Sequence, residues 1–514
     1  MPTPSPRLLA NLSAALTAAL LLTLSLAGPA GASKTMQIGI TDEGVTQRSP
    51  GLIPEVIPQW KAIGMDVARV MIVWSYVAPD AEDSVEPIGF DATDPNDPRY
   101  NWVVVDQTMN ELRTVGIEPV VAVTGPGPIW GSKTPSFEDQ RYKPDPKQFA
   151  DFATAVAKRY GSQVSRWLIW NEPNVNTWLL PQQECPGGKC VPVAPSMYRE
   201  IVRAAYPAIK AADPGATVIA GTLASGGQTA TNSRANVRPL AFLRDFACVD
   251  EKLRPERKSR HCKSAFKPAT ADGFAYHPHG KLSAPSRSLP NKDEAGLADF
   301  GSRLLKTLDS IQAQGRFLNA GSKSKKFGIY FTEFGYQTNP PDPYQGVSTT
   351  EQLNWVQQGA YLAWHQPRVK MMVQYLWRDD PVNTRGQGSR AYSGWQSGLY
   401  SFDGRKKPLR DAFPNVFWVD LPKGTKVATV WGQVRPGGSA AVTVQKKNGS
   451  SWSPLRSLTT DSRGYFVFTT PIAKKTSLRY RYSMADAAGK RKTYTSSTMT
   501  VTPAKAKSAH RARR

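Results

Sequence analysis

The sequence is poor in residues that commonly hold metals and redox cofactors. Its 514 residues include only four cysteines and five histidines. Cys185 with Cys190 and Cys248 with Cys262 form two close pairs, whose spacing does not fit a zinc ribbon. Three pairings are possible, and short loop closure favours the two local disulfides. No G-x-G-x-x-G motif follows the first apolar run, which argues against a dinucleotide site. We therefore expect no metal and no other cofactor.

The sequence has only one apolar run that could enter a membrane, and it lies at the N-terminus. Arg7 precedes LLANLSAALTAALLLTLSLA, and AGPAGA then places Ala30 and Ala32 in a small-x-small cleavage pattern. This arrangement predicts a signal peptide over residues 1–32, removed after Ala32. The alternative is an uncleaved anchor, but the run is short for a span. We expect a secreted, extracellular protein with no stable membrane insertion after cleavage.

Acidic residues are scarce in the C-terminal part of the chain. From Leu421 onward there are 19 lysines and arginines but only two acids, Asp461 and Asp486, which accounts for +17 of the net charge of +24. Such a surface attracts polyanions. For an exported protein we expect an anionic cell-surface or cell-wall polymer as partner rather than nucleic acid. The alternative is that this charge is only a solvated surface.

Short, nearly continuous apolar runs alternate with longer amphipathic stretches, as in parallel strands that are covered on both faces. Helix-like segments between the runs include 103–116, 146–161 and 295–315. The pattern predicts a (β/α)8 TIM barrel over residues 33–418, with a doubly wound open sheet as the alternative. The eight runs are 36–41, 67–74, 118–125, 165–172, 217–224, 271–278, 327–334 and 369–377.

The composition changes near residue 420. Short runs rich in β-branched and aromatic residues follow, separated by turns with Gly, Asn, Asp and Ser. This predicts a small all-β, immunoglobulin-like sandwich over residues 424–502. The basic segment 503–514 is expected to be a disordered tail.

Polar side chains gather at the carboxyl ends of the predicted strands, where a barrel opens into one shared pocket. Glu172 ends the fourth strand and Glu333 ends the seventh, so the two face each other across the barrel mouth. Two carboxyls placed in this way can flank a glycosidic bond, one protonated and one ionised. Trp170 can raise the pKa of one carboxyl by desolvation, and Arg69 can hold the other ionised. Retention of configuration would need a separation of about 5–5.5 Å between them.

WNEPN at 170–174 and TEFGYQ at 332–337 together resemble the acid/base and nucleophile signatures of clan A glycoside hydrolases, which are retaining (β/α)8 enzymes with cellulase-like and β-xylosidase-like families. The resemblance covers about residues 36–415. It implies Glu172 as acid/base and Glu333 as nucleophile. A histidine that many members carry after the third strand has no match, because TGPGPIW stands there. The implied substrate-binding residues are Arg69, Asn171, Tyr276, His277 and Trp377.

Other polar and aromatic residues near strand ends have alternative interpretations. His277 and His279 could suggest a metal, but the sequence shows no third ligand. Asp379 and Asp380 are interpreted as loop caps or partners of Arg378. Most tryptophans are expected in the core. The expected exceptions, which would stack on sugar rings, are Trp74, Trp130, Trp178 and Trp377.

The combined pattern predicts a secreted retaining O-glycoside hydrolase that acts on a polysaccharide or oligosaccharide. One alternative is transglycosylation with the same residues. Another is a non-catalytic carbohydrate-binding or wall-associated scaffold with a glycosidase-like barrel.

Overall fold

The computed structural model describes residues 32–256, 262, 266–485 and 490–504. The predicted signal segment up to residue 31 and the tail from residue 505 lie outside the described residues. The chain divides into two compact units. One consists of Thr35–Ala363 and Arg368–Pro414, and the other is built mainly from Asn415 onward.

The first unit is a closed barrel of eight parallel strands, each next to its neighbour in sequence, with the first strand pairing with the last. All eight predicted strands are present, so the predicted (β/α)8 barrel is confirmed. The strands are β1 Gln37–Thr41, β2 Val67–Val73, β3 Glu118–Thr124, β4 Arg166–Ile169, β5 Thr217–Ala224, β6 Gly273–His277, β7 Gly328–Phe334 and β8 Val369–Tyr375.

Helices connect consecutive strands, and one further helix follows the last. A π-helical segment, Phe300–Leu305, joins α7 to α8. Short two-stranded pairs also form between Gln183–Glu184 and Val191–Pro192, and between Ala269–Ala271 and Phe317–Asn319. The α-helices are α1 Ile53–Ala62, α2 Trp74–Val77, α3 Val103–Val115, α4 Pro146–Tyr160, α5 Ala194–Ala212, α6 Pro239–Phe246, α7 Leu297–Asp299, α8 Lys306–Ala313, α9 Thr349–Trp364 and α10 Pro408–Ala412.

Local sequence sets the ends of these helices. The Asp145 side chain accepts hydrogen bonds from the backbone N–H groups of Lys147 and Gln148, and Pro146 occupies the first helical position of α4. At the end of α3, Gly116 adopts a left-handed conformation with φ of 69°. Glycine has no Cβ to disfavour this conformation, so the chain can turn there into β3.

The period-two alternation of β2 separates the inside of the barrel from the helix layer. Val67, Met71 and Val73 belong to one interior cluster with apolar side chains of six other strands. Arg69 has the same parity and therefore also points into the barrel. It is 1% exposed. A buried arginine inside an apolar strand needs acidic or acceptor partners within the barrel.

The second unit is a β-sandwich. The sheet β9–β10–β13 faces a sheet ordered β12–β11–β14–β15, with β16 pairing to β14. A buried cluster that includes Phe417, Val430, Val444 and Tyr480 lies between the two sheets. The unit begins at Asn415 rather than at 424, because the first strand pairs with β10. The strands are β9 Asn415–Asp420, β10 Val427–Val434, β11 Ala441–Asn448, β12 Ser451–Thr459, β13 Tyr465–Pro471, β14 Thr476–Ala485, β15 Arg491–Thr495 and β16 Met499–Val501.

Both local disulfides form, Cys185–Cys190 and Cys248–Cys262, as the short loops predict. Within the described residues, no helix combines the length and the apolar character needed to cross a membrane.

Candidate active site

A cleft of about 550 Å³ opens at the carboxyl ends of the barrel strands. Strand ends supply its floor, including Glu43, Asn171, Glu172 and Glu333. Loops supply its walls, among them the segments that carry Trp178, Lys281 and Trp395. Three glutamates therefore lie at the bottom of the cleft, and aromatic side chains stand at its sides.

Glu172 and Glu333 face each other across this floor. A carboxylate oxygen of Glu172 and one of Glu333 lie within 4.8 Å of each other. Glu172 follows β4 in a left-handed conformation, with φ of 37°. On β7, the register against β8 shifts between Phe331 and Phe334, and an irregularity of this kind re-aims the intervening side chains. Glu333 thereby lines the cleft although Thr332, one residue earlier, faces the barrel interior.

Arg69 binds Glu333 and Asn171 from below the cleft floor. Its Nη1 lies 2.7 Å from Glu333 Oε1, and its Nη2 donates to Asn171 Oδ1 at 2.5 Å. The guanidinium side chain is fully buried. It fixes the Glu333 carboxylate and orients the Asn171 amide, whose Nδ2 has no partner among the described residues.

His277 links Glu172 to the barrel interior. Its Nδ1 lies 2.9 Å from Glu172 Oε1 and 3.5 Å from Glu333 Oε2, while Nε2 lies 3.0 Å from Thr332 Oγ1. The ring is completely buried, and this burial lowers the pKa of His277 to about 3. The imidazole is therefore neutral near neutral pH, so it orients the carboxyls through hydrogen bonds rather than through a full charge.

The two glutamates have opposite pKa shifts. Burial raises the pKa of Glu172, and this effect outweighs the opposing influence of His279 and Arg69. Burial also acts to raise the pKa of Glu333, but His277, Arg69 and His279 together bring that pKa below its usual value. Two neighbouring carboxyls with separated pKa values can act as an acid and an anion at one pH.

Glu43 is a third carboxyl of the cleft floor, and the sequence analysis missed it. It follows β1, accepts a hydrogen bond from the Thr41 hydroxyl at 2.9 Å, and lies 3.9 Å from Arg69 Nη1. Burial raises the pKa of Glu43 to about 7, with Arg69 opposing and Glu333 adding to the rise. The only signal for Glu43 in the sequence was the acid-rich segment after the first apolar run. Such a segment is also typical of an ordinary polar loop.

His279 completes a group of four potential metal ligands. One atom each from Glu172, His277, His279 and Glu333 lies within 4.8 Å of the others. His279 Nε2 lies 3.7 Å from Glu333 Oε2 and has no hydrogen-bond partner within the described chain. The sequence showed no third ligand beside His277 and His279. In the structure, the two glutamates are the third and fourth potential ligands. His277 Nδ1 and Glu172 Oε1 are hydrogen-bonded to each other.

Four side chains expected to contact substrate lie in the protein core instead. Tyr276 is fully buried and its hydroxyl donates to the Ala295 carbonyl, because His277 points inward and its neighbour must point to the helix layer. Trp74 has the outward parity of β2 and packs against Trp130 and Phe152. A position at a strand end is therefore not sufficient to predict that a side chain lines the cleft, because the parity of the residue along the strand decides which way the side chain points.

Trp130 and Trp377 are also buried, at 3% and 2% exposure. Trp130 Nε1 donates to the Pro79 carbonyl at 3.0 Å. The ring of Trp377 packs against both Tyr400 and Arg410 and is not among the side chains that line the cleft.

Trp178 does line the cleft, and so does Trp395, which the sequence analysis did not select. The interpretation of Asp379 and Asp380 as loop caps is confirmed, because they accept hydrogen bonds from the backbone N–H groups of Gly398 and Trp395, respectively. Asp379 pairs with buried Lys407 at 2.7 Å rather than with Arg378, and Asp380 pairs with Arg48.

A (β/α)8 barrel with glutamates at the tips of its fourth and seventh strands is the arrangement that the sequence shares with clan A glycoside hydrolases. No family model matches the chain. Two curated proteins resemble part of it at 28% identity. One is a chloroplastic benzoxazinyl glucoside beta-D-glucosidase of Triticum aestivum, over 139 residues, or 26% of this chain and 21% of that protein. The other is thermostable beta-glucosidase B of Thermobispora bispora, over 133 residues, or 25% of this chain and 24% of that protein.

The matched stretch thus spans only about a fifth to a quarter of the length of these curated relatives. Among solved structures, a glucosidase from Croceicoccus marinus is similar with a TM-score of 0.46 at 11% identity, covering 86% of this chain and 94% of that chain.

Proposed function

We propose that this protein is a retaining O-glycoside hydrolase with Glu333 as the nucleophile and Glu172 as the acid/base. The observation that carries the proposal is the pair of carboxylate oxygens within 4.8 Å of each other at the cleft floor. Retaining enzymes hold their two carboxyls about 5–5.5 Å apart, whereas inverting enzymes need about 6.5–9.5 Å to admit a water. The opposite pKa shifts of the two groups support the same assignment.

In the first step, a Glu333 carboxylate oxygen attacks the anomeric carbon while the glycosidic C–O bond breaks. The departing oxygen takes the proton of Glu172, and a covalent glycosyl-enzyme remains. The Asn171 Nδ2 group is free to donate to a substrate hydroxyl close to the reacting carbon. Trp178 and Trp395 offer apolar surface for sugar rings on the cleft walls.

In the second step, ionised Glu172 takes a proton from water, whose oxygen attacks the anomeric carbon. The bond to Glu333 breaks, and both carboxyls return to their starting states. The neutral imidazole of His277 stays hydrogen-bonded to Glu172 throughout and does not need to exchange a proton with solvent.

The decisive experiment measures product release from a panel of β-linked glycans and aryl β-glycosides, with Glu333→Gln and Glu172→Gln beside the wild type. Glu333→Gln should abolish release of every product. Glu172→Gln should reduce turnover by about 10²–10⁴-fold for a poor leaving group and much less for a dinitrophenolate, which needs no proton. Glu55→Gln makes the same chemical change at an exposed position of α1 and should have wild-type activity.

Several outcomes would contradict the proposal. They are substantial activity in Glu333→Gln, equal leaving-group dependence in both variants, or an initial product of inverted anomeric configuration by NMR. Glycan binding without turnover in the wild type would favour a non-catalytic carbohydrate-binding scaffold.

We also propose that the protein is exported and cleaved after Ala32. The predicted signal segment and the two disulfides support this, because disulfides persist in oxidising compartments. Intact-mass measurement of protein recovered from the culture medium tests it, since retention of residues 1–32 in a cell-bound form would contradict export.

A further inference from the structure

The outer face of the sheet formed by β12, β11, β14 and β15 is a cationic surface within the second unit. Register places Lys447 of β11, Arg479 and Arg481 of β14 and Arg491 of β15 on this face. None of the four lies within ion-pair distance of a carboxylate of the described residues. Hydroxyl and amide side chains fill the positions between the cations. These are Thr443, Gln445, Ser457, Ser477, Ser483, Thr493 and Thr495.

Arg479 is held in a defined orientation on this face. Its guanidinium carbon lies 4.1 Å from the centroid of the Trp452 ring, and its Nε donates to Gln445 Oε1 at 2.9 Å. Its two Nη nitrogens have no partner in the described part of the chain. A guanidinium stacked and anchored in this way loses little freedom when it binds a carboxylate through two parallel hydrogen bonds.

The positive charges form a diagonal row across the sheet. Arg479 and Arg481 are two residues apart on one strand, which separates their Cα atoms by about 6.8 Å. On one side, Lys447 of β11 extends the row and lies near the part of β14 that precedes Arg479. On the other side, Arg491 of β15 extends the row and lies opposite Ala485. Positive charges that lie close together without acidic partners repel one another. Binding of an extended anion would reduce this repulsion.

We propose that this face binds an acidic polysaccharide, with Arg479 and Arg481 on successive carboxylates and the hydroxyl side chains on the sugar hydroxyls. Cations flanked by hydroxyl and amide side chains match a polymer whose rings carry both carboxylates and hydroxyls. This binding does not depend on the activity proposed for the barrel.

Nucleic acid fits the face less well. Single strands bind to basic grooves in which aromatic faces are open for base stacking. The one tryptophan of this face, Trp452, is covered by Arg479. From Asn415 to Val501 the described residues also form strands without a helix that could enter the major groove of a duplex.

The test uses the full mature chain and measures its affinity for polygalacturonate at low salt. We expect Arg479→Gln/Arg481→Gln to weaken binding by about tenfold or more, since each lost charge-assisted contact weakens association. Lys423→Gln/Lys426→Gln removes the same charge from the exposed turn between β9 and β10, which belong to the other sheet, and serves as the matched control. The control should bind nearly as tightly as the wild type.

Equal weakening in both double variants would overturn the proposal, because it would show a general charge effect without a defined site. Tighter binding to duplex DNA than to polygalacturonate would overturn it in favour of nucleic acid, and absence of polygalacturonate binding would overturn it outright. If Arg479→Gln lowers the melting temperature, the single variant Arg481→Gln replaces the double variant in the test, because Arg481 is exposed. That single change should weaken binding and leave activity on aryl glycosides unchanged, and binding as tight as that of the wild type would overturn the proposal.

Discussion

Replacing Thr332 with valine should impair turnover without disturbing the cleft surface. The Thr332 hydroxyl lies 3.0 Å from His277 Nε2, and both side chains are completely buried. Valine has the same shape but no hydroxyl, and water cannot take its place in the packed barrel. The ring nitrogen Nε2 of His277 would lose the only hydrogen-bond partner that it has among the described residues, at a cost of about 1–3 kcal/mol.

His277 orients Glu172 through its other nitrogen, so we expect this loss to appear in the transition state. A cost of that size corresponds to a kcat/KM lower by about 5- to 150-fold. The change should fall on kcat, with KM nearly constant, because neither Thr332 nor His277 is among the side chains that line the cleft. Steady-state kinetics on an aryl β-glycoside that the wild type hydrolyses measures both constants.

Thr332→Ser is the matched control, because it keeps the hydroxyl and removes a methyl group. It should lower the free energy of unfolding by about 1 kcal/mol but retain most of the activity. If serine and valine reduced kcat equally, packing rather than the hydrogen bond would control the position of His277. Wild-type kcat in Thr332→Val would refute the positioning role.

Two further predictions concern buried charges. Folding raises the pKa of Glu43 from 4.5 to about 7, so the protonated carboxyl makes its full contribution to stability below about pH 4.5. This contribution is lost as the pH rises through 7. Relative to Glu43→Gln, the unfolding free energy of the wild type should therefore fall by up to about 3 kcal/mol between pH 4 and pH 8, and a constant difference in denaturant titrations would refute this. Lys407→Met leaves the Asp379 carboxylate buried without its 2.7 Å partner and should cost about 3–5 kcal/mol at pH 8, and less at pH 5, where Asp379 is protonated because burial raises its pKa to about 6. A loss below 1 kcal/mol at pH 8 would show that water reaches the pair.

The sequence was sufficient for the barrel because its strands are short, nearly continuous apolar runs that few other structures produce. It also identified Arg69, Asn171, Glu172, His277 and Glu333, which the structure brings together at one end of the barrel. Such residues are polar groups at the ends of apolar strands, so they stand out in sequence.

Side-chain direction was the main source of wrong assignments. Trp74 and Tyr276 lie at strand ends but on the outward parity, and one residue decides between cleft and core. Trp395 reaches the cleft from a long loop after β8, whose path depends on contacts with distant residues such as Asp380. The position of Glu43 depends on the same kind of tertiary contact, with Arg69.

The single buried guanidinium of Arg69 has a consequence for the charge of the site during the proposed reaction. Before attack, the negative charge resides on Glu333 and Glu172 is neutral. In the covalent intermediate, the ester of Glu333 is neutral and Glu172 carries the charge. The combined charge of these three groups is therefore zero at both stages. An anion moves by less than 5 Å past one fixed cation, and no ion from solution has to enter or leave the barrel while it does so.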